Sequence, residues 1–220
     1  MQGYFSDRRA AGAELAVQLA GYRKTPGLLV LALPRGGVPV AYEVARTLGA
    51  ELDVLVVRKL GVPRQPELAL GAIASGGATV FNDDVVGAIG VTRSHLDAIV
   101  RTERIELQRR ERAYRGDRGP LNVRGRTVIV VDDGLATGAS MRAAVAALRS
   151  LQPTKIVVAV PVAPVETAEE FVYIADDFVC IETPRDFHSV GWWYRNFDQT
   201  QDDEVRYLVD AAQGAKSSAA

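Results

Sequence analysis

The stretch VIVVDDGLATGAS, Val128 to Ser140, decides how the rest of the chain is read. A run of β-branched apolar residues stops at two adjacent carboxylates, Asp132 and Asp133. A turn of small residues then leads into MRAAVAALRSLQ, whose apolar positions have helical spacing. A short uninterrupted apolar run suits a strand buried on both faces, and such strands belong to parallel sheets. Asp-Gly also marks hairpins, but a hairpin needs a second strand and here a helix follows.

The turn has its own chemistry. In an open parallel sheet, ligands bind at the carboxyl ends of the strands. The first N–H groups of the following helix are unpaired and carry partial positive charge. Gly134 and Gly138 let the backbone fold tightly, while Thr137 and Ser140 add hydroxyl donors. Gly134, Leu135, Ala136, Thr137, Gly138, Ala139 and Ser140 therefore read as a phosphate cradle. Two carboxylates would repel that phosphate unless they face another part of the guest. Ionised Asp only accepts hydrogen bonds, so Asp132 and Asp133 want hydroxyls or a metal ion. A ribose 5-phosphate unit fits both halves.

Outward from this stretch, short apolar runs alternate with amphipathic segments. LLVLAL (Leu28–Leu33) reads as a strand and VPVAYEVARTLG as a helix ending at Gly49. LDVLVVRK (Leu52–Lys59) reads as the next strand, followed by a loop marked by Pro63 and Pro66. LALGAIASGG and ATVFND suggest a hairpin divided at Gly76 and Gly77. TRSHLDAIVRTERIELQRRERAYR reads as an amphipathic helix opened by Thr92 or by a Ser94–Asp97 capping box. Its many Arg residues are better read as a solvated face braced by Glu–Arg pairs than as a phosphate-binding face.

Downstream, KIVVAVPVAP is a strand, VETAEEFVYIA a helix and DFVCIET a last core strand. DFHSVGWWYRNFDQTQDDEVRYLVDAA is aromatic and breaks the rhythm, and GAKSSAA reads as a disordered tail. The expected fold class is α/β, a parallel central sheet with helices on both faces. The expected organisation is one domain over 1–213, with a core at about 28–183 and a small C-terminal hood from about 184 that includes the N-terminal segment.

Net charge of −1 argues against a dedicated nucleic-acid binder, which needs a basic excess. The single cysteine, Cys180, lies in an apolar run and reads as structural. MQGYFSDRRAAGAEL lacks the apolar core of a signal peptide, and no stretch reaches transmembrane length. His95 and His188 have no zinc-like spacing. A cytoplasmic protein without a membrane partner is expected. Neither GxxxxGK nor GxGxxG occurs, so a P-loop or dinucleotide fold is set aside. VIVVDD also looks like the acidic end of a receiver domain's first strand. The later strands, however, end in PVAP and ETP, without the further Asp and Lys a receiver needs.

VIVVDDGLATGAS closely resembles the phosphoribosyl pyrophosphate (PRPP) signature of the type I phosphoribosyltransferases, in the form of the adenine and uracil enzymes. Ala136 stands where hypoxanthine-guanine enzymes carry an acid, which points away from that activity. LALPRGGVPVA (Leu31–Ala41) resembles the family's pyrophosphate loop, with Arg35, Gly36 and Gly37 at its centre. RKLGVPRQPELALG (Arg58–Gly71) resembles its mobile catalytic loop. The whole layout is similar to a phosphoribosyltransferase-like subgroup without an assigned acceptor.

The resemblance implies transfer of a 5-phosphoribosyl group from PRPP to a nitrogenous base with release of pyrophosphate, with Mg²⁺ as cofactor. The 134–140 loop would hold the 5-phosphate. Arg35, Gly36, Gly37, Arg58 and Lys59 would meet the pyrophosphate, with Arg64 as a helper. Asp132 and Asp133 would hold the ribose hydroxyls, directly or through hydrated Mg²⁺. Arg35, Lys59, Asp132 and Asp133 form the expected catalytic set. For the acceptor, Phe187, Trp192, Trp193 and Tyr194 could stack on a heterocycle, or equally pack a small accessory core. Asp186, His188 and Glu182 are the candidate general bases. The resemblance also implies a homodimer. The alternative is a PRPP-sensing regulator with reduced catalysis, since fold does not fix function.

Overall fold

The structure, a computed structural model, describes residues 4–62 and 65–217. In chain order its elements are α1 (Arg8–Gln18), β1 (Leu29–Ala32), α2 (Gly37–Leu48), β2 (Glu51–Val54), β3 (Val57–Val62), β4 (Gln65–Ala74), β5 (Thr79–Phe81), α3 (Asp83–Ile89), α4 (Arg93–Arg115), β6 (Thr127–Val131), α5 (Ala139–Ser150), β7 (Lys155–Val162), α6 (Val165–Ile174), β8 (Asp177–Glu182) and α7 (Asp202–Ser217). Two sheets form among the described residues: a five-stranded one in the order β2-β1-β6-β7-β8 and a three-stranded one in the order β3-β4-β5. Every pairing in the larger sheet is parallel, and both pairings in the smaller are antiparallel.

The continuous apolar runs are explained by burial on both faces. Val30, Ala32, Ile129 and Val131 face one core, built with Leu15 of α1 and Leu19 just past its end, Val40 and Val44 of α2, and Leu208 of α7. Leu29, Leu31, Val128 and Val130 face the other, with Val145 and Leu148 of α5 and Phe171 of α6. Successive residues of a strand point to opposite faces, so each face needs its own apolar set.

The run Leu52–Lys59 is not one strand. β2 stays beside β1 as far as the Ala32–Val54 pair, and the chain then passes the end of the sheet. Ser75 holds the crossing: its Oγ accepts the Val56 N–H at 3.0 Å and its own N–H donates to the Val56 carbonyl at 2.9 Å. Val57 onward then pairs with β4, so the described residues of the expected catalytic loop belong to an antiparallel arm of two strands, with Pro63 and Arg64 outside the described residues. The hairpin at Gly76 and Gly77 joins β4 to β5.

α1, α3 and α7 were not anticipated. α1 begins after Asp7, whose Oδ1 accepts the Ala10 N–H at 2.8 Å, and buries Ala11, Leu15 and Ala16. α7 buries Val205, Leu208 and Val209 in the first core, so only the part of the hood before Asp202 lies outside the helical layer. The helix runs on to Ser217, into the stretch expected to be a disordered tail. α4 is fixed at its end by Arg115, whose Nε and Nη2 each lie 2.9 Å from a different Asp53 carboxylate oxygen. Cys180, on β8, has its thiol pushed up to about 12 by burial, which fits a packing role.

Candidate functional site

Strand order reverses between β1 and β6, which are neighbours in the sheet but far apart in the chain. The chains leaving two such strands diverge and open a crevice at their carboxyl ends. The register pairs Ala32 with Val131, so the PRGG turn and the DDG turn face each other across that crevice.

The close approach of these turns requires glycine. A Cβ on Gly36 would lie 2.0 Å from Asp133 Oδ2, and one on Gly37 would lie 2.7 Å from the Val131 carbonyl oxygen. Any larger residue would push the turns apart. Gly138 has φ +69°, where L side chains are strained, and turns the chain into α5. The rest of the loop is pinned from β7 and α6. The Leu135 N–H donates to the Val162 carbonyl at 2.9 Å, and the Thr167 hydroxyl donates to the Ala136 carbonyl at 2.9 Å. Arg142 donates to the Thr137 carbonyl at 2.7 Å. Ala136, Thr137 and Ser140 remain exposed.

Two clefts meet at this point. One, of about 230 Å³, is lined by residues 134–141 with Lys59, Asp132 and Val190. The other, of about 460 Å³, is lined by Leu33 and Pro34 from the PRGG turn, Arg58 and Lys59 from the arm, Glu103 and Arg110 from α4, and again Asp132 and Ser140. Lys59, Asp132 and Ser140 border both. Lys59 is exposed and has no ion-pair partner among the described residues. Burial and the neighbouring Asp133 charge hold the Asp132 carboxyl well above the usual carboxylate range. A cradle of backbone N–H and hydroxyl groups, the Asp132 carboxyl and the unpaired Lys59 cation thus share a continuous crevice with the Arg58–Glu103 pair. That set can hold a phosphorylated sugar.

Residues 6–195 match the phosphoribosyl transferase domain family. The chain belongs to the phosphoribosyl transferase family. Two Mycobacterium tuberculosis proteins named after this transferase are each 50% identical over 208 residues, which is 94% of this chain and 47% of theirs. The chain thus spans about half the length of the curated relatives it matches. The crystal structure of TT1426 from Thermus thermophilus is 43% identical, with a TM-score of 0.85 over 95% of this chain and 98% of that one. The five-stranded parallel sheet with its helices is the type I phosphoribosyltransferase fold.

Not every anticipated residue of this family member lies free in the crevice. Arg58 lines the larger cleft but is paired there with Glu103, at 2.6 Å. Arg35 lies outside both clefts, its Nη1 3.6 Å from Asp202 of α7. Arg64 lies outside the described residues. Asp133 borders neither cleft, because Arg8 of α1 holds it at 2.8 Å. Burial raises the Asp133 pKa and Arg8 opposes that shift.

The aromatic segment divides likewise. Tyr194 is buried with Phe5 and Ala11, with Ile181, Val190, Trp193 and Phe197 packed around them. This is the accessory core, and it takes Tyr194 and Trp193 away from any stacking surface. Burial pushes the Tyr194 hydroxyl well up, so it stays protonated and donates to the Asp133 carbonyl at 2.5 Å. Trp192 is exposed and tilted against His188, 5.3 Å away. Phe187, Trp192, Asp186, His188 and Glu182 border neither cleft. From this segment it is Val190 that borders the phosphate-loop cleft.

Sequence reasoning missed Arg8, Glu103, Arg110 and Val190. Ser6-Asp7 ahead of an Ala-rich run was a readable helix start. Nothing local, however, links Arg8 to Asp133. On α4 the solvated face is present, with Glu106 bonded to Arg109 and Arg110, yet the same helix also supplies Glu103 and Arg110 to the crevice.

Proposed function

We propose that the chain binds PRPP and transfers its 5-phosphoribosyl group to a nitrogenous base, releasing pyrophosphate. The observation that carries this reading is the crevice at the β1–β6 switch point, where Lys59, Asp132 and Ser140 border both the phosphate loop and the larger cleft. The 134–140 backbone and hydroxyls hold the 5-phosphate, far from the reacting carbon. That remote binding energy then positions the sugar. Asp132 accepts from the ribose hydroxyls. Lys59, and Arg35 once freed from Asp202, meet the departing pyrophosphate, whose charge must be compensated as the bond breaks. Gly36 and Gly37 bring the turn's backbone next to the same group.

Among the described residues no group of three or more His, Cys, Asp or Glu is placed to hold a metal ion. Mg²⁺ takes one or two protein carboxylates, keeps several waters and uses substrate phosphate oxygens. Asp132, a single carboxylate facing a phosphate cradle, suits an ion that arrives with PRPP. When bound, Mg²⁺ would neutralise pyrophosphate charge. A soluble cytoplasmic setting and a homodimer belong to the same reading, and among the described residues no helix is long and apolar enough to cross a membrane.

Isothermal titration of PRPP with Mg²⁺, followed by a product screen over purine and pyrimidine bases, tests the reading. Heat with product supports transfer and names the acceptor. Heat without product favours a PRPP sensor, a reading that gains some weight from the engagement of Arg58 by Glu103. Absence of heat overturns the PRPP site. Asp132→Asn should weaken PRPP binding strongly while leaving the circular dichroism spectrum unchanged.

A further inference from the structure

We infer that Arg8 is a positioning residue of this site: it holds Asp133 in an internal ion pair and so leaves Asp132 as the one carboxylate of the pair presented to the ligand. The inference rests on the proposed PRPP site. Strand alternation is its starting point. Val130 faces the α5 core and Val131 the α1–α2 core. Continued past the end of β6, that alternation sends Asp132 toward the phosphate loop and Asp133 toward α1. The contacts agree: Asp132 borders both clefts, and Asp133 borders neither.

Arg8 is built into place. Its Nε lies 2.8 Å from Asp133 Oδ2, and the two side chains are only 12% and 15% exposed. Its guanidinium sits over the Phe197 ring, 3.8 Å from the centroid, and Nη1 donates to the Asp198 carbonyl at 2.6 Å. A cation at the first residue of a helix opposes the helix dipole, so this placement needs a compensating anion. Asp133 supplies it. The missing Gly36 side chain lets the pyrophosphate turn rest on the same Oδ2 from the other side, so Arg8 also fixes that turn's floor.

Without Arg8, Asp133 would be a second buried negative charge beside Asp132. The pair would then draw a divalent cation when no substrate is present, and would repel an anionic one. The experiment measures binding of Mn²⁺ alone, by electron paramagnetic resonance of the free ion, and of PRPP by calorimetry. The proteins are the wild type, Arg8→Ala, Arg8→Lys, Asp133→Asn and the Arg8→Ala/Asp133→Asn double variant, each checked for folding by near-ultraviolet circular dichroism. We expect Arg8→Ala to bind Mn²⁺ about tenfold more tightly and PRPP about tenfold more weakly, the scale of one close like charge. The double variant, which restores the charge balance, should stay near wild type in both. Asp133→Asn, which leaves Arg8 unneutralised, should bind Mn²⁺ more weakly and PRPP no more weakly than wild type, and Arg8→Lys should keep most of the wild-type behaviour. A pair that only braces the fold would make Asp133→Asn as harmful as Arg8→Ala, with no gain in Mn²⁺ affinity. That pattern overturns the inference, as does a loss of PRPP affinity in Asp133→Asn as large as in Asp132→Asn. If Arg8→Ala does not fold, Asp133→Asn with Arg8 intact still decides between the two roles. Absence of PRPP heat in the wild type would count against the PRPP reading alone, because the Mn²⁺ series judges Arg8 separately.

Discussion

The two sheets carry the two halves of the crevice in opposite ways. The five-stranded parallel sheet buries nearly all of β1, β6 and β7, and its turns are held by glycine contacts and hydrogen bonds from neighbouring elements. The three-stranded sheet has one wet side, with Lys59 exposed beside buried Leu60 and Phe81 40% exposed. The groups proposed to grip the 5-phosphate therefore stand on the packed sheet. The cation proposed to meet the pyrophosphate, Lys59, stands on the open one. A site on loops braced by a rigid scaffold gains precision, whereas a residue on a half-exposed arm can change without disturbing the core.

The sharpest way to break this contrast is at the buried pair that joins α4 to the parallel sheet. Asp53→Ala leaves the Arg115 guanidinium buried without its carboxylate, and should cost about 3–5 kcal/mol in chemical denaturation. A loss below about 1 kcal/mol would mean that the packed side is not packed as described. Next comes Gly36→Ala, whose Cβ collides with Asp133. It should weaken PRPP binding by about 10- to 100-fold in calorimetry, with overpacking converted at about 1.4 kcal/mol per tenfold.

Lys59→Ala should act differently. It should slow product formation by about tenfold, the scale of one lost charge contact, while the melting temperature holds. An equal loss of stability would erase the distinction between the two sheets. The mildest test is at Cys180, on the edge strand of the parallel sheet. With the thiol pushed up to about 12, the thiolate is scarce at pH 8, so iodoacetamide labelling should be slow until denaturant is added. Prompt labelling of the folded protein would show that this edge opens readily.

What could be read from the sequence follows the same division. The parallel core was legible because burial on both faces leaves an unbroken apolar run. The turn into α5 was legible because Gly134, Thr137, Gly138 and Ser140 lie within a few residues of one another. The split of Leu52–Lys59 between two sheets was not, because Leu55 and Val56 are as apolar as the strand residues around them and the crossing is held by Ser75, much further along. Adjacent Asp132 and Asp133 looked equivalent. Their separation arises from which helix covers each face, and α1 is remote in the chain. The aromatic run was legible as a cluster but not as to its use, since Tyr194 and Trp193 pack inward while Trp192 stays exposed.

The pairing of the two ends of the domain has a consequence for its synthesis. The Phe5 N–H donates to the Trp193 carbonyl at 2.9 Å, and the Arg195 and Asn196 N–H groups return to Phe5 and Ser6 at 2.9 and 3.0 Å. Phe5 and Ser6 are thus completed by residues about 190 positions further along, which leave the ribosome roughly ten to forty seconds later at ordinary translation speeds. Throughout that interval α1 exists without its final seat, and Leu15, Ala16 and Leu19 lack the finished sheet they cover. α1 is therefore seated only after the aromatic segment has been made, and the Asp198 carbonyl and Phe197 ring that hold Arg8 against Asp133 arrive with it.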